Sequence, residues 1–207
     1  MSGNDKFWDR VAKRYARSPV KNIAAYEATL DRVRSYLSDR DYVLELGCGT
    51  GSTALALADS VSHVTACDIS GAMIEIARGK AETAAVSNVR FVQVEVGMDD
   101  CAPASIDAVL AFSLLHLLDD PSQAAQRAYQ VLRPGGVFIS KTICLAERSP
   151  FYRLALPVLR WIGVAPYVNF LRKTDLERIM QSAGFEIAEN RTFDAAPSNW
   201  FMVARKP

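Results

Sequence analysis

At 207 residues, half of them hydrophobic, the chain has the size of one α/β domain with a substantial buried core. Its formal net charge of +1 excludes a global pull toward nucleic acid or anionic membrane, so any electrostatic bias must be local. The opening MSGNDKFWDR lacks the apolar run of a secretion signal and no run of about 20 apolar residues offers a membrane span, so a cytoplasmic protein is expected.

Residues 4 to 37 carry apolar side chains at helical spacing: Phe7, Val11 and Tyr15, then Ile23, Tyr26, Leu30, Val33 and Leu37. Ser18-Pro19 separates them, and two helices are predicted. Tyr42 to Leu46 is a short apolar strand that runs into glycines, and Thr50 to Ser60 is helical. His63 to Cys67 is a strand closing on Asp68, Gly71 to Ala85 a helix, and Val89 to Val94 a strand rich in β-branched residues. Ile106 to Phe112 is a strand, and Gln123 to Leu132 a helix closed by Arg133-Pro134-Gly135-Gly136. The strand Val137 to Ile143 follows. Thr174 as N-cap, with Glu177 three residues on, predicts a capping box and a helix ending near Gly184. Phe185 to Phe193 and Trp200 to Ala204 are late strands.

Strand and helix in alternation imply an α/β, mostly parallel sheet with helices on both faces. Two final strands without a helix between them predict an antiparallel hairpin at the sheet edge. A single domain is expected: helices over 1–38, a core over 41–143, an insertion over 145–173, and a last helix with the hairpin over 174–207. Cys48, Cys67, Cys101 and Cys144 form no Cys-x-x-Cys pair and have no clustered histidine partners. Neither a metal site nor a disulfide scaffold is expected of them.

The strongest chemical signal is Val43-Leu44-Glu45-Leu46-Gly47-Cys48-Gly49-Thr50-Gly51. A buried strand ends in alternating glycines, whose missing Cβ atoms permit close approach of a ligand, and ligands of open α/β sheets bind at the carboxyl ends of strands. Cys48 within this loop is explained by its small size. Asp68 ends the next strand about twenty residues on, where a carboxylate accepts hydrogen bonds from ribose hydroxyls. Together they indicate a ribose-containing cofactor. A dinucleotide loop wants Gly-x-Gly-x-x-Gly, whereas here the third glycine comes one position early and Ser52 holds the later site. Glu45 is ill placed beside a pyrophosphate but suited to the sulfonium and ammonium of S-adenosylmethionine.

Glu45-x-Gly47-x-Gly49-x-Gly51 resembles motif I of the class I S-adenosylmethionine-dependent methyltransferases. Cys67-Asp68-Ile69-Ser70 with Met73 resembles their ribose and adenine segment. Phe91-Val92-Gln93-Val94-Glu95-Val96 resembles the strand whose following acid meets the adenine, with Glu95 for the usual Asp and Val94 for the usual Gly. Ile106-Asp107-Ala108-Val109 leading to Phe112-Ser113-Leu114-Leu115-His116 is similar to a segment of the UbiE-like small-molecule branch, and Leu132-Arg133-Pro134-Gly135-Gly136 to its loop before strand five. The resemblance covers about residues 40 to 143. It implies a Rossmann-like doubly wound sheet of seven strands in the order 3-2-1-4-5-7-6 with the last strand antiparallel. It also implies S-adenosylmethionine as cofactor and S-adenosylhomocysteine as product. The cofactor set it implies is Tyr15, Glu45, Gly47, Cys48, Gly49, Gly51, Asp68, Ile69, Met73, Glu95, Val96 and Phe112.

Methyl transfer from a sulfonium depends chiefly on in-line alignment of donor and acceptor. His116, after strand four, is the candidate general base or acceptor-orienting group, against a structural role at a helix start. Tyr15, in Phe7-Trp8-Asp9-x-x-Ala12-x-x-Tyr15, resembles a segment that folds over the cofactor's methionine end; otherwise it packs an amphipathic helix on the sheet. Two other functions stay open: an NAD-dependent oxidoreductase and a non-catalytic S-adenosylmethionine-binding protein. The Asn/Asp-Pro-Pro-Tyr and Pro-Cys sequences of amino- and cytosine-methylating enzymes are missing, so a small-molecule acceptor is expected and nucleic acid is not.

The insertion Leu145 to Lys173 holds Arg148, Arg153, Arg160, Arg172 and Lys173, no acidic residue from Arg148 onward, and Phe151, Tyr152, Trp161, Tyr167 and Phe170. Three readings arise. It is a lid clamping an apolar or aromatic acceptor that bears an anionic group, a solvated basic face on a structural helix pair, or a weak attachment to an anionic membrane surface.

Overall fold

The computed structural model describes residues 4–95, 101–147, 151–193 and 198–207. In chain order the elements are α1 (Asn4–Arg17), α2 (Ile23–Arg34), β1 (Tyr42–Leu46), α3 (Ser52–Leu57), β2 (His63–Asp68), α4 (Gly71–Thr83), β3 (Val89–Gln93), β4 (Ile106–Phe112), α5 (Pro121–Val131), β5 (Leu132–Ile143), α6 (Phe151–Trp161), α7 (Lys173–Ser182), β6 (Glu186–Arg191) and β7 (Asn199–Arg205).

The seven strands form one sheet in the order β3-β2-β1-β4-β5-β7-β6. β1 pairs in parallel with β2 and β4, and β7 pairs antiparallel with both β5 and β6. The expected fold class and strand order are therefore observed. Apart from Glu45 and Asp107, β1 and β4 read as apolar runs because both of their faces are covered. Leu44, Leu46, Val109 and Phe138 pack with Ala125 and Ala128 of α5 and Leu176 and Met180 of α7. The alternate residues Val43, Leu110, Ile139 and Val203 pack with Leu30 and Val33 of α2, Leu57 of α3 and Ile74 and Ala77 of α4. The chain winds outward from β1 to β3, then returns to lay β4 on the other side of β1. The crevice at that reversal, above the carboxyl ends of β1 and β4, is where ligands of such sheets bind.

Several element ends differ from the sequence expectation. α3 is a short helix continued by a tighter turn over Ala58–Ser60. α5 starts earlier, at Pro121, because the Asp120 side chain accepts from the backbone N–H groups of Ser122 and Gln123. β5 begins at Leu132, so Arg133–Gly136 lies inside the strand. The capping box sits two residues before its expected place. Asp175 accepts from the Arg172 N–H at 2.9 Å, the Lys173 N–H is held by Glu147 at 3.1 Å, and Glu177 is engaged by Asn190 at 2.8 Å. Besides a single 3₁₀ turn over Leu145–Glu147, the insertion holds one described α-helix, α6, rather than a pair.

Candidate active site

The loop after β1 is bent by three glycines in the left-handed region: Gly47 (φ +64°), Gly49 (φ +54°) and Gly51 (φ +76°). They are not equivalent. A Cβ on Gly47 would lie 2.7 Å from Leu114, and one on Gly51 would lie 2.7 Å from the Phe91 ring and 2.9 Å from Ala77. These two glycines are required by packing. A Cβ on Gly49 would meet nothing nearer than the Tyr15 ring at 3.9 Å, so it would project into the open space above the loop. Lys80 steadies the loop's far end by donating to the hydroxyls of Thr50 and Ser52.

Asp68 reaches this loop from the end of β2. Its two carboxylate oxygens each accept a backbone N–H at 2.9 Å, from Gly49 and from Ser70. Each oxygen keeps lone pairs for further donors. Burial raises the Asp68 pKa, and those backbone donors work against the rise. Ser70 caps α4 by accepting from Met73 N–H at 3.1 Å and donates its own hydroxyl to Asp9 of α1 at 2.6 Å. Asp9 also accepts from Ala72 N–H. This pins α1 across the site, a role the sequence segment around Tyr15 contained but did not disclose.

α1 thereby places Tyr15 over Gly49, stacked edge-on against Trp8. Desolvation, Asp68 and Glu45 all raise the Tyr15 pKa, so its hydroxyl stays protonated. Glu45 is 2% exposed, and its Oε2 has no partner among the described residues. Burial lifts its pKa to about 8, with a further contribution from Asp68, while the Ala54 N–H holds it down. Cys48 is buried in the loop and its thiol is pushed far up by burial, which leaves it no nucleophilic role.

Two cavities meet around Tyr15, Gly47 and Gly49. The first, of about 510 Å³, is lined by Asp68, Ile69, Met73 and Glu95, which end or follow β2, belong to α4 or follow β3. Phe112, Ser113, Leu114 and His116 line it from the end of β4 and just beyond, and Ile143, Leu145, Tyr152, Leu156, Pro166 and Val168 line it from the end of β5 onward. The second, of about 430 Å³, takes in Glu45, Cys48, Tyr26, Thr53, Lys80 and Lys141. Ser113, which the sequence did not single out as a site residue, lines both and has φ +53°; its N–H donates to Lys141 O at 2.7 Å. His116 is 6% exposed, its Nδ1 has no partner among the described residues, and burial lowers its pKa to about 4. Of the expected cofactor set, Gly51 lies behind the cavities against Phe91, and Val96 is outside the described residues.

The arrangement suits S-adenosylmethionine. A carboxylate with spare lone pairs faces ribose-sized space, and apolar Ile69 and Met73 lie beside it. A buried carboxyl with one oxygen unpartnered among the described residues borders the adjoining cavity, where a cation is welcome, and a cradle over Gly49 would be filled by any Cβ. Residues 43–136 match the model of the methyltransferase domain family. The chain is 26% identical over 207 residues to a ubiquinone biosynthesis O-methyltransferase from Xylella fastidiosa, with 88% of this chain and 83% of that protein covered. The chain carries a methyltransferase domain and acts as an S-adenosylmethionine-dependent methyltransferase.

The methyltransferase is also 31% identical over 144 residues to the tRNA 5-carboxymethoxyuridine methyltransferase of Escherichia coli, covering 64% of this chain and 54% of that protein. The solved structure of an S-adenosylmethionine-dependent methyltransferase from Thermotoga maritima has the same fold, with a TM-score of 0.74 at 20% identity over 98% of this chain and 99% of that one. None of these relatives supports an NAD-dependent oxidoreductase.

The buried Glu45 carboxyl has a measurable consequence. Glu45 in the folded protein holds its proton to about pH 8, whereas an unfolded-chain glutamate releases it near ~4.3. The stability that the protonated group contributes is complete below ~4.3 and is lost as pH rises toward 8. A bound cation favours the ionised form, so cofactor binding at pH 7 should expel a proton and affinity should climb with pH up to about 8. Calorimetry at pH 7 in buffers of unequal ionisation enthalpy should detect that release, and Glu45→Gln should abolish it. Equal proton release by both proteins would assign the proton to another group.

Proposed function

We propose that the methyltransferase methylates a small, largely apolar molecule through an oxygen held beside His116. The observation that supports this is the first cavity. Its lining brings together Asp68 and glycines of the loop after β1, His116, and apolar side chains from β5 (Ile143), α6 (Leu156) and the segment after α6 (Pro166 and Val168). No lysine or arginine lines it among the described residues, which favours the apolar part of the expected acceptor and not its anionic group. Arg153 and Arg160 are turned to Phe170 and Tyr167 instead. The Xylella relative carries O-methyltransferase in its name, which favours oxygen as the acceptor atom. The expected lack of nucleic-acid substrates is kept as part of this proposal, since the described residues that line the cavity offer no cation for a phosphate.

Asp68 would hold the ribose hydroxyls, Glu45 would balance the cofactor's positive charge, and Tyr15 would donate to its methionine end. The cofactor supplies an activated methyl group. What remains to the protein is alignment and dry surroundings. His116 is neutral at physiological pH, with one nitrogen to donate and one to accept. It orients the acceptor hydroxyl and takes up its proton as the oxygen is alkylated, later releasing that proton to solvent.

A screen of apolar phenols and other small hydroxy compounds, with transfer RNA as a separate arm, should find its turnover among the small molecules, read as S-adenosylhomocysteine release. His116→Ala should then lower kcat by roughly 10²-fold, the lower end for a general base, and leave cofactor affinity unchanged. Because His116 titrates near 4, the wild-type kcat should show no histidine limb between pH 5.5 and 7.5, limits that lie about 1.5 units or more above it. Methylation of transfer RNA alone would refute the small-molecule assignment.

A further inference from the structure

α6 is apolar on two opposite sides. At 3.6 residues per turn, Tyr152 and Leu156 share one side, and Leu154, Val158 and Trp161 lie about 180° away. The first side lines the first cavity. The second faces outward: Leu154 is 76% and Trp161 87% exposed, and Val158 and the following Ile162 and Val164 are each more than half exposed. A helix apolar all round belongs in a core, yet no residue of α6 is buried. The outward stripe is thus a contiguous apolar surface of the kind that marks an interaction site.

The charge beside it selects the occupant. Arg153 and Arg160 fall on one flank between the two sides and lie over the Phe170 and Tyr167 rings. No acidic residue occurs from Arg148 to Lys173 in a chain of net charge +1. A second copy of the chain meeting this stripe about a two-fold axis would bring like charges together. An anionic bilayer surface complements both features. Leucine, valine and tryptophan enter the acyl boundary, tryptophan prefers that interface, and the arginines meet lipid phosphates. Among the described residues no helix is long and apolar enough to cross a membrane, and α6, about 16 Å long, can only lie in the surface plane.

We propose that α6 docks the methyltransferase on anionic membrane surface through Leu154, Val158 and Trp161. Its other side then roofs the acceptor cavity at the lipid boundary, so the acceptor belongs to the class of lipid-soluble molecules; this last step rests on the function proposed above. α6 is held to the body by the loop that follows it. The Arg10 guanidinium donates to Gly163 O, and the Tyr167 N–H donates to Asn4 at 3.3 Å, both from α1. Docking would therefore be transmitted to the helix that carries Tyr15.

The test uses sedimentation of the full chain with vesicles of phosphatidylcholine alone or with about a third phosphatidylglycerol. The protein should pellet with the anionic vesicles and be released by raised salt. Leu154→Glu and Trp161→Glu should each weaken binding at least tenfold. Arg153→Gln and Arg160→Gln should each weaken it about fivefold, on anionic vesicles only. Unchanged S-adenosylmethionine affinity in every variant would show that the fold persists. Wild-type protein that stays in the supernatant would overturn the proposal. So would a dimer in analytical ultracentrifugation that Leu154→Glu dissociates, which would give the stripe to a second copy. Neither measurement uses an acceptor or turnover, so failure here leaves the methyl-transfer proposal standing.

Discussion

Replacing Asp68 with alanine is expected to weaken S-adenosylmethionine binding by roughly 30- to 1000-fold. The carboxylate holds two backbone N–H groups, from Gly49 and Ser70, and its remaining lone pairs are proposed to receive the ribose hydroxyls. Hydrogen bonds to a charged group contribute ~1.5–3 kcal/mol each, and every 1.4 kcal/mol is about a factor of ten. The substitution removes the ligand contact and the brace on Gly49 together, which places the loss toward the upper end. Asp68→Asn keeps one acceptor oxygen and should fall between the two. Titration calorimetry decides the matter. An affinity within threefold of wild type for Asp68→Ala would take the residue out of the cofactor site and return the ribose to another acceptor.

The bend of the glycine loop and the placing of Asp68 beside it were legible because backbone constraint and residue type coincide there. Only glycine tolerates the positions at which a Cβ would strike Leu114 or Phe91, so Gly47 and Gly51 announce a bend whatever the fold around them. Asp68 is legible because strand length fixes its distance from the loop. Ser113 carries no such signature, since a left-handed serine looks like any other serine in a sequence. The start of α7 was misplaced because its first amide is satisfied from afar, by Glu147, a contact between the two ends of the insertion that no local pattern contains. The arginines of the insertion were visible as charge, but composition does not say which flank of a helix they occupy. Only with α6 in place do Arg153 and Arg160 turn out to stand beside an outward apolar stripe and away from the cavity.

Gly49 and Gly51, two residues apart in one loop, should fail in opposite ways. Alanine at Gly51 would set its Cβ 2.7 Å from Phe91 and 2.9 Å from Ala77, both packed in the core, at φ +76°. Overpacking costs ~1–3 kcal/mol and the left-handed backbone ~1–2 more, so the protein should lose roughly 2–5 kcal/mol of stability. At ~2–4 °C per kcal/mol for a chain of this size, Tm should fall by about 4–20 °C. The Cβ of a valine at Gly49 meets nothing nearer than Tyr15 at 3.9 Å, and the left-handed backbone at φ +54° is its main cost to folding. Its side chain instead fills the cradle shared by the two cavities, and cofactor affinity should drop at least 100-fold with a smaller fall in Tm. Gly51→Ala, wherever it remains folded, should bind S-adenosylmethionine within about tenfold of wild type, because its Cβ points away from the ligand space. Thermal melts alongside calorimetry on the same two proteins separate the outcomes. Normal cofactor binding by Gly49→Val would mean that the space above Gly49 is not where the cofactor lies.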